Sequence, residues 1–142
     1  MMDLLTKALS QYGTKEIEGS LHNDKIVNYF HEIGHEWVKD DETAWCSAFL
    51  NWVAKTSGYE YTGKLNARSW LDVGDTIWVP EVGNVVIFWR VSVYDWRGHV
   101  GIYIREDENH IYTLGGNQSN EVRISKYPKN RVLGYRKLNK IT

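Results

Sequence analysis

The sequence is poor in the features that would make it a secreted staple, a membrane protein or a nucleic-acid binder. It holds a single cysteine, Cys46, in 142 residues. No internal disulfide can form, and no cysteine-based zinc site is available. No apolar run approaches the roughly 20 residues of a membrane span. Seventeen basic residues face 18 acidic ones for a net charge of −1. That excludes the basic footprint of a nucleic-acid or membrane-surface binder. The opening Met1-Met2-Asp3 lacks a basic stretch followed by an apolar one. No secretory signal is therefore expected, and a target beyond the cytoplasm would need delivery or release. Repeats, low-complexity stretches and linkers are also missing. Phenylalanine is scarce at three residues, whereas there are seven Trp and nine Tyr. Such rings suit clefts for sugars or peptides, and they also fill cores.

What is present divides into two halves. Leu4, Leu5, Ala8, Leu9 and Tyr12 fall at helical spacing, with Gly13 as a stop. Asn23 is the expected cap of a second helix through Ile33, closed by Gly34. Thr43 is the expected cap of a third, residues 44–57, which is apolar nearly all round and so reads as buried. Asn66 would cap a short fourth helix through Leu71. After Gly74 the period falls to two: Val85–Trp89, His99–Arg105, His110–Leu114, Glu121–Tyr127 and Arg131–Leu138 read as strands. Turn signals stand at Asp107-Glu108-Asn109, Gly115-Gly116-Asn117 and Pro128-Lys129-Asn130. Helices followed by an antiparallel meander predict an α+β fold, with residues 1–142 as a single domain.

Cys46 falls in the first turn of the buried helix, where unpaired N–H groups and the helix dipole favour a thiolate nucleophile. A lone cysteine is equally a small buried hydrophobe. His99 lies on a strand between Gly98 and Gly101. Its neighbours Val100, Ile102 and Ile104 should face the core, so His99 faces the other way. If the Cys46 helix covers that second face, imidazole and sulfur meet. A base needs a third group to hold its ring. Asn117, after the next strand, is the candidate, with Gln118, Ser119 and Asn120 beside it. An Asn in a Gly-rich turn is also simply a turn residue.

The segment Trp45-Cys46-Ser47-Ala48-Phe49 resembles the nucleophile helix of the CHAP family, the cysteine- and histidine-dependent amidohydrolases and peptidases of the NlpC-like, papain-like superfamily. Gly98-His99-Val100-Gly101-Ile102-Tyr103 is similar to that family's histidine strand. Leu114-Gly115-Gly116-Asn117-Gln118-Ser119 falls where the family keeps its polar third residue. With Asp40-Asp41-Glu42 and Ala67-Arg68-Ser69-Trp70, the resemblance runs from about residue 10 to residue 136 and is nearest to small stand-alone bacterial and phage proteins. It implies a papain-like fold, N-terminal helices packed on a C-terminal antiparallel sheet, and cleavage of an amide bond in peptidoglycan. The activity implied is that of an N-acetylmuramoyl-L-alanine amidase or peptide endopeptidase, in a lysin, a tail component or an antibacterial effector. Such a protein would be a monomer without cofactor. Its partners would be the wall and a delivery apparatus, holin or immunity protein. One departure is Gly115, where many members carry Glu; His99 would then rest on Asn117 alone.

On this reading Cys46, His99 and Asn117 are the catalytic residues. Trp45, Trp70, Tyr94, Trp96 and Gln118 are candidate substrate contacts, and Asp40 is given a structural or substrate-amine role. Two rival readings stand beside it. His31-Glu32-Ile33-Gly34-His35 matches the H-E-x-x-H pattern of zinc peptidases, although Gly34 interrupts the helix that pattern requires. A wall-binding module without activity would use the same aromatic surface.

Overall fold

The computed structural model describes residues 3–17, 23–37 and 44–141. Three helices lead the chain: α1 (Leu4–Leu9), α2 (Asp24–Glu32) and α3 (Cys46–Thr56). A 3-10 segment, Ala67–Asp72, precedes six strands: β1 (Asp75–Ile77), β2 (Val85–Trp89), β3 (Gly98–Glu106), β4 (His110–Gln118), β5 (Glu121–Pro128) and β6 (Val132–Lys137). They form one antiparallel sheet in the order β1-β6-β2-β3-β4-β5. Strands β2 to β5 are the meander that the sequence predicts. The chain then returns, and β6 pairs with β2 rather than extending the row. The short strand β1, which carries no clear period-two signal, covers the edge of β6.

Local chemistry accounts for the helix limits. Asn23 Oδ1 accepts the Lys25 N–H at 2.9 Å and starts α2. The chain leaves α2 at Ile33, and Gly34 takes a left-handed φ of 96°. Helix α3 departs from expectation. Its cap is Trp45, with no side-chain cap bond, and Cys46 is its first residue. Thr43 lies outside the described residues. With no side-chain cap from Trp45, the first N–H groups of α3 need another acceptor.

Every residue of α3 from Cys46 to Ala54 is buried, as its all-round apolar pattern requires. They join Leu4, Ile26, Phe30, Trp45 and Trp70 in one core with Val85, Ile87, Val100 and Ile102 from one face of the sheet. A smaller core of Val86, Phe88, Tyr103 and Ile111, packed by Tyr127, Val132 and Tyr135, fills the other face. Strand β2 is thus apolar on both sides because both sides are covered.

One buried polar residue fixes the segment beside α3. Asn51 Oδ1 accepts the N–H groups of Thr62 and Gly63 at 2.9 and 2.8 Å, and its amide donates to Lys64 O at 2.9 Å and Ser47 O at 3.0 Å. Ser47 Oγ also donates to Lys64 O, at 2.6 Å, and accepts from Trp70 Nε1 at 3.0 Å. This network locks residues 62–64 to the helix and so sets the position of Leu65, Asn66 and Ala67. Replacing Asn51 by Ala would leave the partly buried N–H groups of Thr62 and Gly63 without their acceptor. Asn51→Ala is expected to lose about 2–3 kcal/mol of stability, read from urea unfolding; a loss within experimental error would deny the network this role.

Candidate functional site

Cys46 and His99 line the same cleft, a cavity of about 480 Å³ whose walls include Ala67, Phe88, Asn117 and Tyr127. They reach it from opposite sides of the sheet. Helix α3 packs on the face of Val100 and Ile102, not on the face of His99. The expectation that the helix covers the His99 face is therefore incorrect. His99 instead stacks in the smaller core, its ring 4.7 Å from that of Tyr127 and 6.3 Å from that of Phe88. The two side chains share a cleft because Cys46 is the terminal residue of its helix and His99 lies next to the start of its strand. Both stand where an element ends and the packing opens.

The third residue also differs from expectation. His99 Nε2 bonds Gln118 Oε1 at 2.8 Å, and Gln118, not Asn117, holds the ring. The reason is a β-bulge. Strand β4 pairs Ile102 with Leu114 and Tyr103 with Thr113, so strict alternation would put residues 113, 115 and 117 on the His99 face. Against β5, however, the register jumps from Gly115↔Arg123 to Gln118↔Glu121. Gly116 and Asn117 thus oppose Val122 alone. The extra residue shifts the phase by one and turns Gln118 to His99. Asn117 takes the strain at φ 58°, a conformation Asn tolerates, and its side chain lines the cleft. The turn predicted at Gly115-Gly116-Asn117 is accordingly part of β4. The reversal falls on Ser119 and Asn120, at φ 53° and 62°, a two-residue hairpin loop with both φ positive. Gly115, the departure from the family pattern, makes room: a Cβ there would stand 2.9 Å from Gln118 Oε1. Gly116 is equally required, since its Cβ would lie 2.7 Å from the Trp45 ring.

The hydrogen bonds fix the ring's proton. Gln118 Nε2 donates to two backbone carbonyls, Thr113 O at 3.1 Å and Arg123 O at 2.5 Å. Carbonyls only accept, so the amide cannot be reversed, and its oxygen faces His99. That oxygen also accepts from Thr113 Oγ1 at 3.0 Å. His99 Nε2 must therefore carry the proton, and Nδ1 keeps a lone pair.

Burial sets the charges. It lowers the His99 pKa to about 4, with the nearby Arg90 cation acting in the same direction and the Gln118 bond opposing them. It also pushes the Cys46 thiol up, against backbone N–H groups of Val100, Ser47 and Cys46 and the charge of Arg90, which favour thiolate. The helix terminus thus helps the thiolate, as its position implies, but desolvation outweighs it. At rest the pair is thiol and neutral imidazole.

The remaining predicted contacts separate into core and rim. Trp45 and Trp70 are fully buried and form no wall of the cleft. Trp45 Nε1 donates to Glu16 Oε1 at 2.7 Å, and Trp70 Nε1 is the Ser47 partner already described. Both rings serve packing. Gln118 is likewise buried, a holder of His99 rather than a substrate contact. Trp96, 71% exposed, lines the cleft; Tyr94 is 98% exposed and stands outside it. Their loop is tied down by Arg68, whose guanidinium donates to the carbonyls of Ser92, Val93 and Arg97. Asp40 lies outside the described residues. Sequence reasoning missed Arg90 and Tyr127 at the cleft, and the Trp-Arg pair at the end of the apolar β2 run was the available signal for the first.

The zinc reading does not survive the geometry. Helix α2 ends at Glu32, so His31 and His35 do not share a helical face. The Glu32 carboxylate accepts from Trp52 Nε1. His35 Nε2 lies 2.7 Å from Gly63 O, and its Nδ1 accepts from Trp37 Nε1 at 3.2 Å. No three His, Cys, Asp or Glu gather among the described residues.

No protein-family model matches the chain, and no curated protein matches its sequence. Among solved structures, a Staphylococcus aureus protein described as similar to a lipoprotein of the NLP/P60 family superposes with a TM-score of 0.53 at 17% identity. The match covers 94% of this chain but only 39% of that protein. The fold is thus NlpC/P60-like: helices with a six-stranded antiparallel sheet.

A buried histidine leaves a signature in stability. Its folded pKa of about 4 lies below the ordinary 6.5, so between those values the unfolded chain binds a proton that the folded chain does not. His99 therefore supports the fold fully above pH 6.5, and that support is lost as pH falls towards 4, by about 3 kcal/mol in all. Urea midpoints measured from pH 7 to 4 should show this fall in the wild type and a shallower one in His99→Asn. Parallel curves would contradict a buried, neutral His99.

Proposed function

We propose that this chain is a cysteine hydrolase that cuts an amide bond of the bacterial cell wall, with Cys46 as nucleophile, His99 as base and Gln118 as the residue that orients the base. The observation that carries the proposal is the Gln118–His99 bond: it leaves Nδ1, the basic nitrogen, unprotonated on a ring that lines the same cleft as Cys46. The NlpC/P60-like fold supports it, as does the resemblance of the Cys46 and His99 segments to CHAP enzymes. The finer assignments, a papain-like arrangement and an amidase or peptide endopeptidase of the CHAP kind, belong to the same reading.

The reaction follows from the resting charges. His99 Nδ1 takes the thiol proton as Cys46 Sγ attacks the scissile carbonyl, so a general base does the work that a preformed ion pair does elsewhere. The Cys46 backbone N–H, at the uncapped start of α3, is the first donor to the oxyanion. The imidazolium then gives its proton to the leaving amine. Water, activated by the same nitrogen, cleaves the thioester and restores the thiol. Trp96 at the rim supplies an exposed ring against which a sugar or peptide can lie.

Mass spectrometry of muropeptides tests the reading. Wild-type protein should release new amine termini from purified peptidoglycan, and Cys46→Ser should release none. Equal release by both would remove Cys46 from the chemistry, and binding without cleavage by the wild type would favour a wall-binding module. Gln118→Leu should lower kcat on the order of 100-fold by freeing the ring, whereas Asn117→Ala should cost far less. The reverse ranking would restore Asn117 as the third residue. Because His99 is neutral down to about pH 4, the acid limb of kcat/KM should fall near that pH. A limb near 6.5 would place His99 in water.

A further inference from the structure

We infer that the cleft beside Cys46 is built to receive a carboxylate carried by the substrate, with Arg90 as its principal partner. The inference rests on the reading of Cys46 as the nucleophile for the site of cleavage, and on charge for the ligand's chemistry. Three arginines, Arg90, Arg97 and Arg131, line the cleft, and no Asp or Glu does so among the described residues. In a chain with 18 acidic and 17 basic residues, that is a local choice of sign.

The three are not equivalent. Arg97 is spent on Asp95, with Nε to Oδ1 at 2.8 Å and an amino nitrogen to Oδ2 at 3.0 Å. That pairing holds the Asp95 carboxyl near 2, so it keeps its charge at any working pH. Arg131 lies with its guanidinium 4.9 Å from the centre of the Trp89 ring and in no ion pair among the described residues. Arg90 follows Trp89 directly and is exposed, with no hydrogen bond or ion pair to any described residue. It lines the same cleft as Cys46, His99 and Tyr127, and its charge acts on all three.

An unpaired guanidinium offers five donors in a planar fork that matches a carboxylate. Asn117, turned into the cleft by the bulge, adds an amide. A neutral sugar makes no use of two uncompensated cations, whereas a peptide amide with a free carboxylate near the scissile bond does. A ligand carboxylate would also relieve the repulsion between Arg90 and the imidazolium that forms at His99 during the reaction.

Two alkylating reagents of nearly equal size but different charge read this field. The rates of Cys46 with iodoacetate and iodoacetamide are followed by mass spectrometry, and their ratio divides out the thiolate fraction. The iodoacetate-to-iodoacetamide ratio should exceed that of free cysteine on the order of tenfold, decline with salt, and fall back in Arg90→Gln. An unchanged ratio in Arg90→Gln would overturn the inference. As a second readout, Cys46→Ala protein is titrated with N-acetylglutamate, its uncharged diamide (both carboxyls converted to amides) and inorganic phosphate while the arginine Nε–H signals are followed by NMR. Glutamate alone should move the Arg90 signal. No movement with glutamate, or a stronger response to phosphate, would overturn the carboxylate assignment. Should the buried Cys46 resist both reagents, the titration decides the carboxylate inference, and the muropeptide comparison of wild type with Cys46→Ser decides the cysteine reading.

Discussion

The site depends on a single extra residue in β4. The bulge at Gly116-Asn117 turns Gln118 onto the histidine face, and among the described residues Gln118 is the group that tells His99 where to keep its proton. Each bond of that amide is spoken for: two backbone carbonyls receive its N–H groups, and its oxygen receives Thr113 Oγ1 and His99 Nε2. A fully satisfied buried amide is rigid and cannot be rotated without stranding partners. The chemistry assigned to Cys46 inherits its geometry from that rigidity, since a base with a wandering proton would be half the time the wrong tautomer.

Burial is the second constraint, and it acts against charge. A cleft closed by Phe88, Tyr127 and the end of α3 disfavours both thiolate and imidazolium. The same desolvation strengthens any hydrogen bond made to the developing oxyanion. The arrangement suits a nucleophile that is activated only when a substrate carbonyl arrives, and it leaves the resting cysteine less open to stray oxidation than an exposed thiolate would be. The counterweight is the backbone N–H groups of Val100 and Ser47, with the charge of Arg90 at the cleft adding to them: together they favour the thiolate that burial opposes.

Much of the fold was legible in the sequence, and the departures have separate physical causes. The all-round apolar pattern of residues 46–54 announced a buried helix, and the period-two runs announced five of the six strands. Cys46 and His99 were singled out by residue type and position. What the sequence could not convey was phase. Alternation extrapolated through Gly115-Gly116 assigns Asn117 to the histidine face, and a bulge is invisible to a period of two. Trp45 and Trp70 were misread because an aromatic ring with a polar edge looks the same whether that edge meets substrate or, as here, Glu16 and Ser47. The side of the sheet that α3 covers was likewise beyond reach, because β2 is apolar on both faces.

The most direct test is of the ring itself. Long-range 1H–15N NMR of the wild-type protein near neutral pH reports which nitrogen of His99 bears hydrogen. A protonated Nε2 with a lone pair on Nδ1 is the result required by the Gln118 network, and it should persist in Asn117→Ala but not in Gln118→Leu. A proton on Nδ1, or a rapidly exchanging mixture of tautomers in the wild type, would mean that Gln118 does not command the base, and the assignment of His99 would lose its foundation.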